Sequence, residues 1–218
     1  MKGAVCMNFG NVVIFGDSYS TFDGYIPEGY ASYYFTDRGA TDVRRVEETW
    51  WHQLLTETGS NLLLNNSWSG STICHLGYDN VDCSKTNSFI HRLEELKENG
   101  FFDTHTLDTV FVFGGTNDSW SNDPLGEPKF DNWTKADLFC VLPAISYFVK
   151  TLKDTVPQAT IICLVNTELK EEIGAMFQET GTRYGAQVIA YDEIDKISGH
   201  PTMKGMKQIK DKILNTAY

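Results

Sequence analysis

Four short segments place chemistry-bearing residue types in a suggestive order. Ser18 follows Gly16-Asp17 directly after an apolar run, and Gly70 closes Asn65-Asn66-Ser67-Trp68-Ser69-Gly70. Asn117 lies in Gly114-Gly115-Thr116-Asn117-Asp118, and His200 in Gly199-His200-Pro201. A hydroxyl, a glycine turn, a side-chain amide and an imidazole are the parts that acyl transfer requires. The hydroxyl attacks, the imidazole takes its proton, and N–H groups hold the developing oxyanion. Each part also has an ordinary reading. Ser18 can cap a helix, Gly70 can serve a positive φ, Asn117-Asp118 can form a turn, and His200 can be a loop histidine. Their order, each behind an apolar run, favours the chemical reading. The other histidines fit less well. His52 and His91 fall within helical patterns, and His105 lies in a Thr-rich loop. His75 follows the glycine turn and is expected to line the pocket.

Elements that would position these residues are visible in the hydropathy. Val12–Phe15, Asn61–Asn65, Thr109–Phe113, Thr160–Val165 and Gln187–Ala190 are short, nearly continuous apolar runs, as expected of parallel strands buried on both faces. Between them, helical spacing predicts helices over 47–57, 88–99, 135–155, 168–184 and 203–215. Pro143 lies inside the third of these and predicts a kink or break. Strand alternating with helix predicts one α/β/α sandwich domain over 1–218 with a five-stranded parallel sheet. In such sheets ligands bind beyond the carboxyl ends of the strands, which is where the four segments fall. Two long loops, roughly 20–46 and 119–134, carry aromatic residues and should overhang that edge.

The composition narrows the partners. The 218 residues carry a net charge of −11, and 41% are apolar. Such a field repels nucleic acid and anionic membrane surfaces, so neither is an expected partner. Lys204, Lys207, Lys210 and Lys212 read as the solvated face of a last helix. The five cysteines show no zinc spacing; Cys74 and Cys83 share a loop and are read as reduced. No metal site or cofactor is expected. The apolar part of the N-terminus is short and leads into a motif rather than a cleavage site, and no stretch is long enough to span a membrane. A cytoplasmic location is therefore expected.

The motifs resemble the GDSL/SGNH hydrolase family, named for blocks with Ser, Gly, Asn and His. Gly16-Asp17-Ser18 matches the first block, with Tyr19 where Leu is usual. Gly70 in NNSWSGST matches the second, Gly115-Thr116-Asn117-Asp118 the third, and His200-Pro201 the last. The resemblance implies a flavodoxin-like sandwich and hydrolysis of esters. It also implies an oxyanion hole from the Ser18 and Gly70 N–H groups with the Asn117 side chain. The family's catalytic acid lies three residues before the histidine, where this chain has Ile197. Either Asp195, five residues before, reaches the imidazole, or a backbone carbonyl orients His200; Asp195 is the favoured candidate. Substrate contacts are expected from Asp17, Tyr19, Trp68, His75 and Trp120, the aromatic loops forming a platform for sugar rings. The loop 30–46 is mixed in polarity rather than an apolar lid, which points to short acyl groups such as acetyl. Two other readings fit parts of the chain. A hydroxyl-rich loop after the first strand suits an FMN or phosphate binder, and a missing acid suits a glycan-binding module without turnover.

Overall fold

The computed structural model describes residues 7–217. Its main sheet contains β1 (Asn11–Gly16), β2 (Asn61–Ser67), β3 (Thr109–Phe113), β4 (Thr160–Val165) and β5 (Gln187–Ala190). The order is β2-β1-β3-β4-β5 and every pairing is parallel. This is the flavodoxin-like arrangement, in which the strand order reverses beside β1. Alternate strand residues feed two separate cores. Val13, Phe15, Val110 and Val112 pack with α2 (Phe89–Glu98), α5 (Val141–Thr155) and α6 (Glu171–Tyr184). Val12, Ile14, Phe111 and Phe113 pack with α1 (Trp50–Thr58) and α7 (Met203–Thr216) on the other face. Two short helices, α3 (Phe101–Thr104) and α4 (Thr116–Trp120), flank β3. Among the described residues no helix is long and apolar enough to cross a membrane.

Capping chemistry sets the helix starts. Thr49, Ser88 and Thr202 each accept a first-turn N–H with their hydroxyls, opening α1, α2 and α7. Two sequence expectations need correction. The helix expected over 135–155 begins only at Val141, behind a one-turn helix at Asp137–Phe139. Pro143 therefore sits in the first turn of α5, where a missing N–H costs nothing, and it neither kinks nor breaks the helix. The hairpin of β6 (Lys196–Ile197) and β7 (His200–Pro201) had no sequence counterpart, because two-residue strands carry no periodic signal. Cys74 and Cys83 are unpaired, as expected, and Cys6 lies outside the described residues.

A buried guanidinium ties the carboxyl ends of two strands together. Arg92 on α2 is completely buried. Its Nη1 donates to the Asn66 carbonyl and, at 2.8 Å, to Asn66 Oδ1. Nη2 donates to the Gly16 carbonyl at 3.2 Å and to Ser71 Oγ at 3.0 Å, and Nε donates to the Asn87 carbonyl at 3.0 Å. Burial pushes the guanidinium down to about 10, which still leaves it charged at neutral pH. Arg92→Met would strand these buried acceptors at roughly 1–3 kcal/mol each. We expect a loss of about 3 kcal/mol or more in a urea unfolding curve, together with loss of activity. A neutral result would show that the acceptors find other donors.

Candidate active site

The four segments meet above the carboxyl edge of the sheet. β1 ends at Gly16, and the chain turns into a one-turn helix, Ser18–Ser20, capped by Asp17, whose Oδ1 accepts the Tyr19 N–H at 3.0 Å. Ser18 is 2% exposed, and its Oγ lies 3.1 Å from His200 Nε2. His200 opens β7 in a hairpin that pairs Ile197 with His200. The two residues between them, Ser198 and Gly199, have φ of 51° and 77°. Two consecutive positive φ values are the mark of a type I′ turn, whose twist matches the strands it joins. Gly199 is required twice over, since a Cβ there would come within 2.9 Å of the Trp120 ring.

The other imidazole nitrogen decides the orienting group. His200 Nδ1 lies 3.0 Å from the Ser198 carbonyl. Its bond is therefore to backbone, which fixes Nδ1 as donor and leaves Nε2 to accept from Ser18. Asp195, the favoured candidate for a third member, is not joined to His200. Its carboxylate accepts from Thr202 Oγ1 and, at 3.4 Å, from Lys204 Nζ, at the foot of α7. Aromatic rings supply the remaining support. Tyr33 stacks face to face on His200 at 3.4 Å with an interplanar angle of 4°. Trp120 and Tyr19 flank the same ring at 5.8 and 5.7 Å.

The segments of Gly70 and Asn117 adjoin that of Ser18, the Trp68 N–H donating to the Gly16 carbonyl and Asn117 reaching the Ser71 carbonyl. Among the described residues, neither the Ser18 nor the Gly70 N–H has an acceptor within the protein. Gly70 has φ of 84°, which turns its amide as an ordinary residue rarely would. Asn117 is oriented at both ends of its amide. Tyr78 donates its hydroxyl to Asn117 Oδ1 at 2.9 Å, and one Nδ2 hydrogen goes to the Ser71 carbonyl at 2.9 Å. The second Nδ2 hydrogen remains available. Asp118 locks the adjacent loop, both oxygens accepting from Ile73 N–H (3.0 and 2.9 Å) and Oδ1 also from Cys74 N–H (3.1 Å). Nothing in the sequence marks Tyr78, a single loop tyrosine; the backbone carbonyl held as the alternative to Asp195 is that of Ser198.

Electrostatics favour a neutral base. Burial pulls His200 below its ordinary value; the Ser198 bond opposes this, and the Arg38 and Lys196 charges add to it. Burial raises Asp17 to about 7 and Asp118 to about 6. Cys74, Asp118 and Asp123 offer ligand atoms within 4.8 Å of one another. Those atoms are committed to the protein, since Asp118 accepts backbone N–H groups and the thiol, raised by burial, contacts Asp123 at 3.7 Å.

Three expected substrate contacts serve the fold instead. Asp17 is fully buried and caps the nucleophile turn. Tyr19 is fully buried and donates its hydroxyl to the Gly199 carbonyl at 2.6 Å, so it braces the histidine hairpin. His75 is buried, bonds Ser88 Oγ at 3.0 Å through Nδ1 and lines a separate cavity with Trp133 and Tyr147. Trp68 and Trp120 do reach the surface. Trp68 stacks with Tyr30 at 4.2 Å, and Trp120 is 40% exposed beside His200.

Comparison with known proteins places this geometry. Residues 10–217 match the model of the family described as GDSL-like Lipase/Acylhydrolase. The chain belongs to that family. A GDSL-like lipase structure from Bacteroides uniformis ATCC 8492 is 42% identical, with a TM-score of 0.87 and 94% of each chain covered. Another from Bacteroides ovatus ATCC 8483 is 39% identical, with a TM-score of 0.86, covering 95% of this chain and 97% of that one. A family two carbohydrate esterase from Clostridium thermocellum, solved with cellohexaose, shares the fold. It is 14% identical with a TM-score of 0.63, over 94% of this chain and 62% of that one. Among curated proteins none matches the chain. As a GDSL-like member the chain is an ester hydrolase.

The position of Asp195 makes a kinetic prediction. Removing the acid of a true triad costs about 10⁴ in rate. We expect Asp195→Asn to change kcat for p-nitrophenyl acetate by less than about tenfold, with any loss traceable to the Thr202 bond. A drop near the triad value would mean that the carboxylate swings to His200 during turnover.

Proposed function

We propose that the protein hydrolyses short-chain esters, acetyl esters foremost, through an acyl-enzyme on Ser18, and that its natural substrate is an acylated carbohydrate. One observation carries the reading: Ser18 Oγ stands 3.1 Å from an imidazole nitrogen whose opposite nitrogen is tied to a carbonyl. In this mechanism Nε2 takes the Ser18 proton as Oγ attacks the ester carbonyl. The negative oxygen is received by the Ser18 and Gly70 N–H groups and the second Nδ2 hydrogen of Asn117. His200 then gives its proton to the departing alcohol, and a water molecule repeats the cycle to release the acid.

The choice of substrate follows from the loops that surround Ser18 and His200. The loop over residues 30–46 contains Asp37, Arg38, Asp42, Arg44 and Arg45, so it offers no apolar lid for a long acyl chain. The Tyr30–Trp68 pair and the exposed face of Trp120 suit the CH-rich faces of sugar rings. The Ser18–Ser20 turn has its side chains buried and an acid as its cap, which makes it a poor phosphate cradle.

Two measurements test this. Ser18→Ala should abolish p-nitrophenyl acetate hydrolysis, and Asn117→Ala should lower kcat by roughly 10²–10³; an unchanged Ser18→Ala rate ends the proposal. The acid limb of kcat/KM should also fall below the ordinary histidine value of 6.5, because the working form is the neutral imidazole and its protonation is disfavoured. A limb at or above that value would mean that an anion offsets the burial.

A further inference from the structure

The guanidinium of Arg38 lies 3.9 Å from the centroid of the Tyr33 ring. The His200 imidazole lies 3.4 Å from the same ring and parallel to it. Two groups at those heights over a ring centre cannot share one face. Arg38 and His200 therefore sandwich Tyr33, and the cation stands one aromatic ring away from the base. Among the described residues no carboxylate pairs with Arg38, and its buried Nε has no acceptor. The contrast with Arg92 is instructive, because every nitrogen of that guanidinium is satisfied by carbonyl and side-chain oxygens.

An uncompensated cation at this place works against the chemistry just described. Proton transfer from Ser18 turns His200 into an imidazolium, and a nearby positive charge opposes that step. The loop could have placed an apolar side chain on Tyr33 without this cost. The cost disappears when an anion settles on the Nη groups of Arg38. A guanidinium edge matches a carboxylate in shape, offering parallel N–H groups to two oxygens.

We propose that Arg38 binds a carboxylate on the substrate, so that the preferred substrate is an acyl ester of an anionic sugar, such as an acetylated uronic acid. This deepens, and rests on, the reading of Ser18 and His200 as an esterase pair. The bound carboxylate fixes the sugar over the Tyr33–His200 stack and neutralises Arg38 as the imidazolium forms. Arg38 thereby couples recognition of the alcohol portion to the readiness of the base. The ester bond itself breaks as before, with water supplying the hydroxyl of the released acid.

The test compares an acetylated methyl uronoside with the matched neutral acetylated methyl glycoside, at about pH 8, above the ordinary imidazole range. The wild type should prefer the anionic ester by roughly tenfold or more in kcat/KM, the scale of one charge-assisted contact. Arg38→Met should remove most of that preference through KM, and Arg38→Lys should retain part of it. With the anionic ester, the acid limb of kcat in the wild type should lie above that of kcat/KM, and in Arg38→Met the two should coincide. Equal losses on both esters, or no anionic preference in the wild type, would overturn the proposal. Binding of both sugars to Ser18→Ala, with and without Arg38→Met, separates the two readings. Arg38-dependent binding of the uronoside without turnover by the wild type would sink the esterase and keep the anion site. Turnover of neutral esters with no uronoside binding would do the reverse.

Discussion

A single buried cation holds the mouth of this sheet together. Among the described residues Arg92 has no carboxylate partner; it is solvated by the carbonyls of Gly16 and Asn66, the Asn66 amide and the Ser71 hydroxyl. Those acceptors belong to the end of β1, the end of β2 and the turn that carries Gly70. Taking a guanidinium out of water costs several kcal/mol, so the arrangement is stable only when the whole set of oxygens is presented together. The constraint works in the other direction too. The segments that carry Ser18 and Gly70 are fixed relative to one another because both are bound to the same planar group.

His200 is held by different means from Ser18. In place of a carboxylate, the imidazole has a backbone carbonyl beneath it and a tyrosine ring across its face. A carbonyl fixes the tautomer as well as an acid does but brings no negative charge. A protonated imidazole is then stabilised less, and the neutral form is favoured. Geometry also limits the choice of residues. The turn at Ser198-Gly199 needs two positive φ values, and Trp120 leaves no space for a side chain on Gly199. The histidine is positioned by backbone conformation, with the side chain of Asp195 spent on starting α7 through Thr202.

The sequence disclosed the sheet because a parallel sheet writes itself as continuous apolar runs. All five runs became strands, and the run beginning at Asn61 extends further, to Ser67. Ser18, Gly70, Asn117 and His200 were legible for a related reason: each follows a strand or closes the last loop, where the topology must deliver it. Residues acting through their surroundings were not legible. Arg92 sits on α2 and reads as a charge on a helix surface. Tyr33 was one aromatic among several in a long loop, and only three-dimensional packing shows that it is the ring against His200. Asp17 and Tyr19 were mistaken for contacts because adjacency to a nucleophile in sequence does not reveal which way a side chain points. Both point inward.

Tyr19 links two parts of the molecule that lie far apart along the chain. Covalently it is the neighbour of Ser18, and through its hydroxyl it holds the carbonyl of Gly199, the neighbour of His200, while Asn166 Nδ2 donates to the same oxygen at 3.1 Å. Tyr34 adds a parallel strut to the Pro201 carbonyl at 2.7 Å. Hydroxyl and imidazole are thus joined through two tyrosine struts as well as by their direct contact. The long loop after β1 is part of the same linkage, since Tyr34 holds the histidine hairpin by its hydroxyl and Tyr33 lies on the imidazole itself.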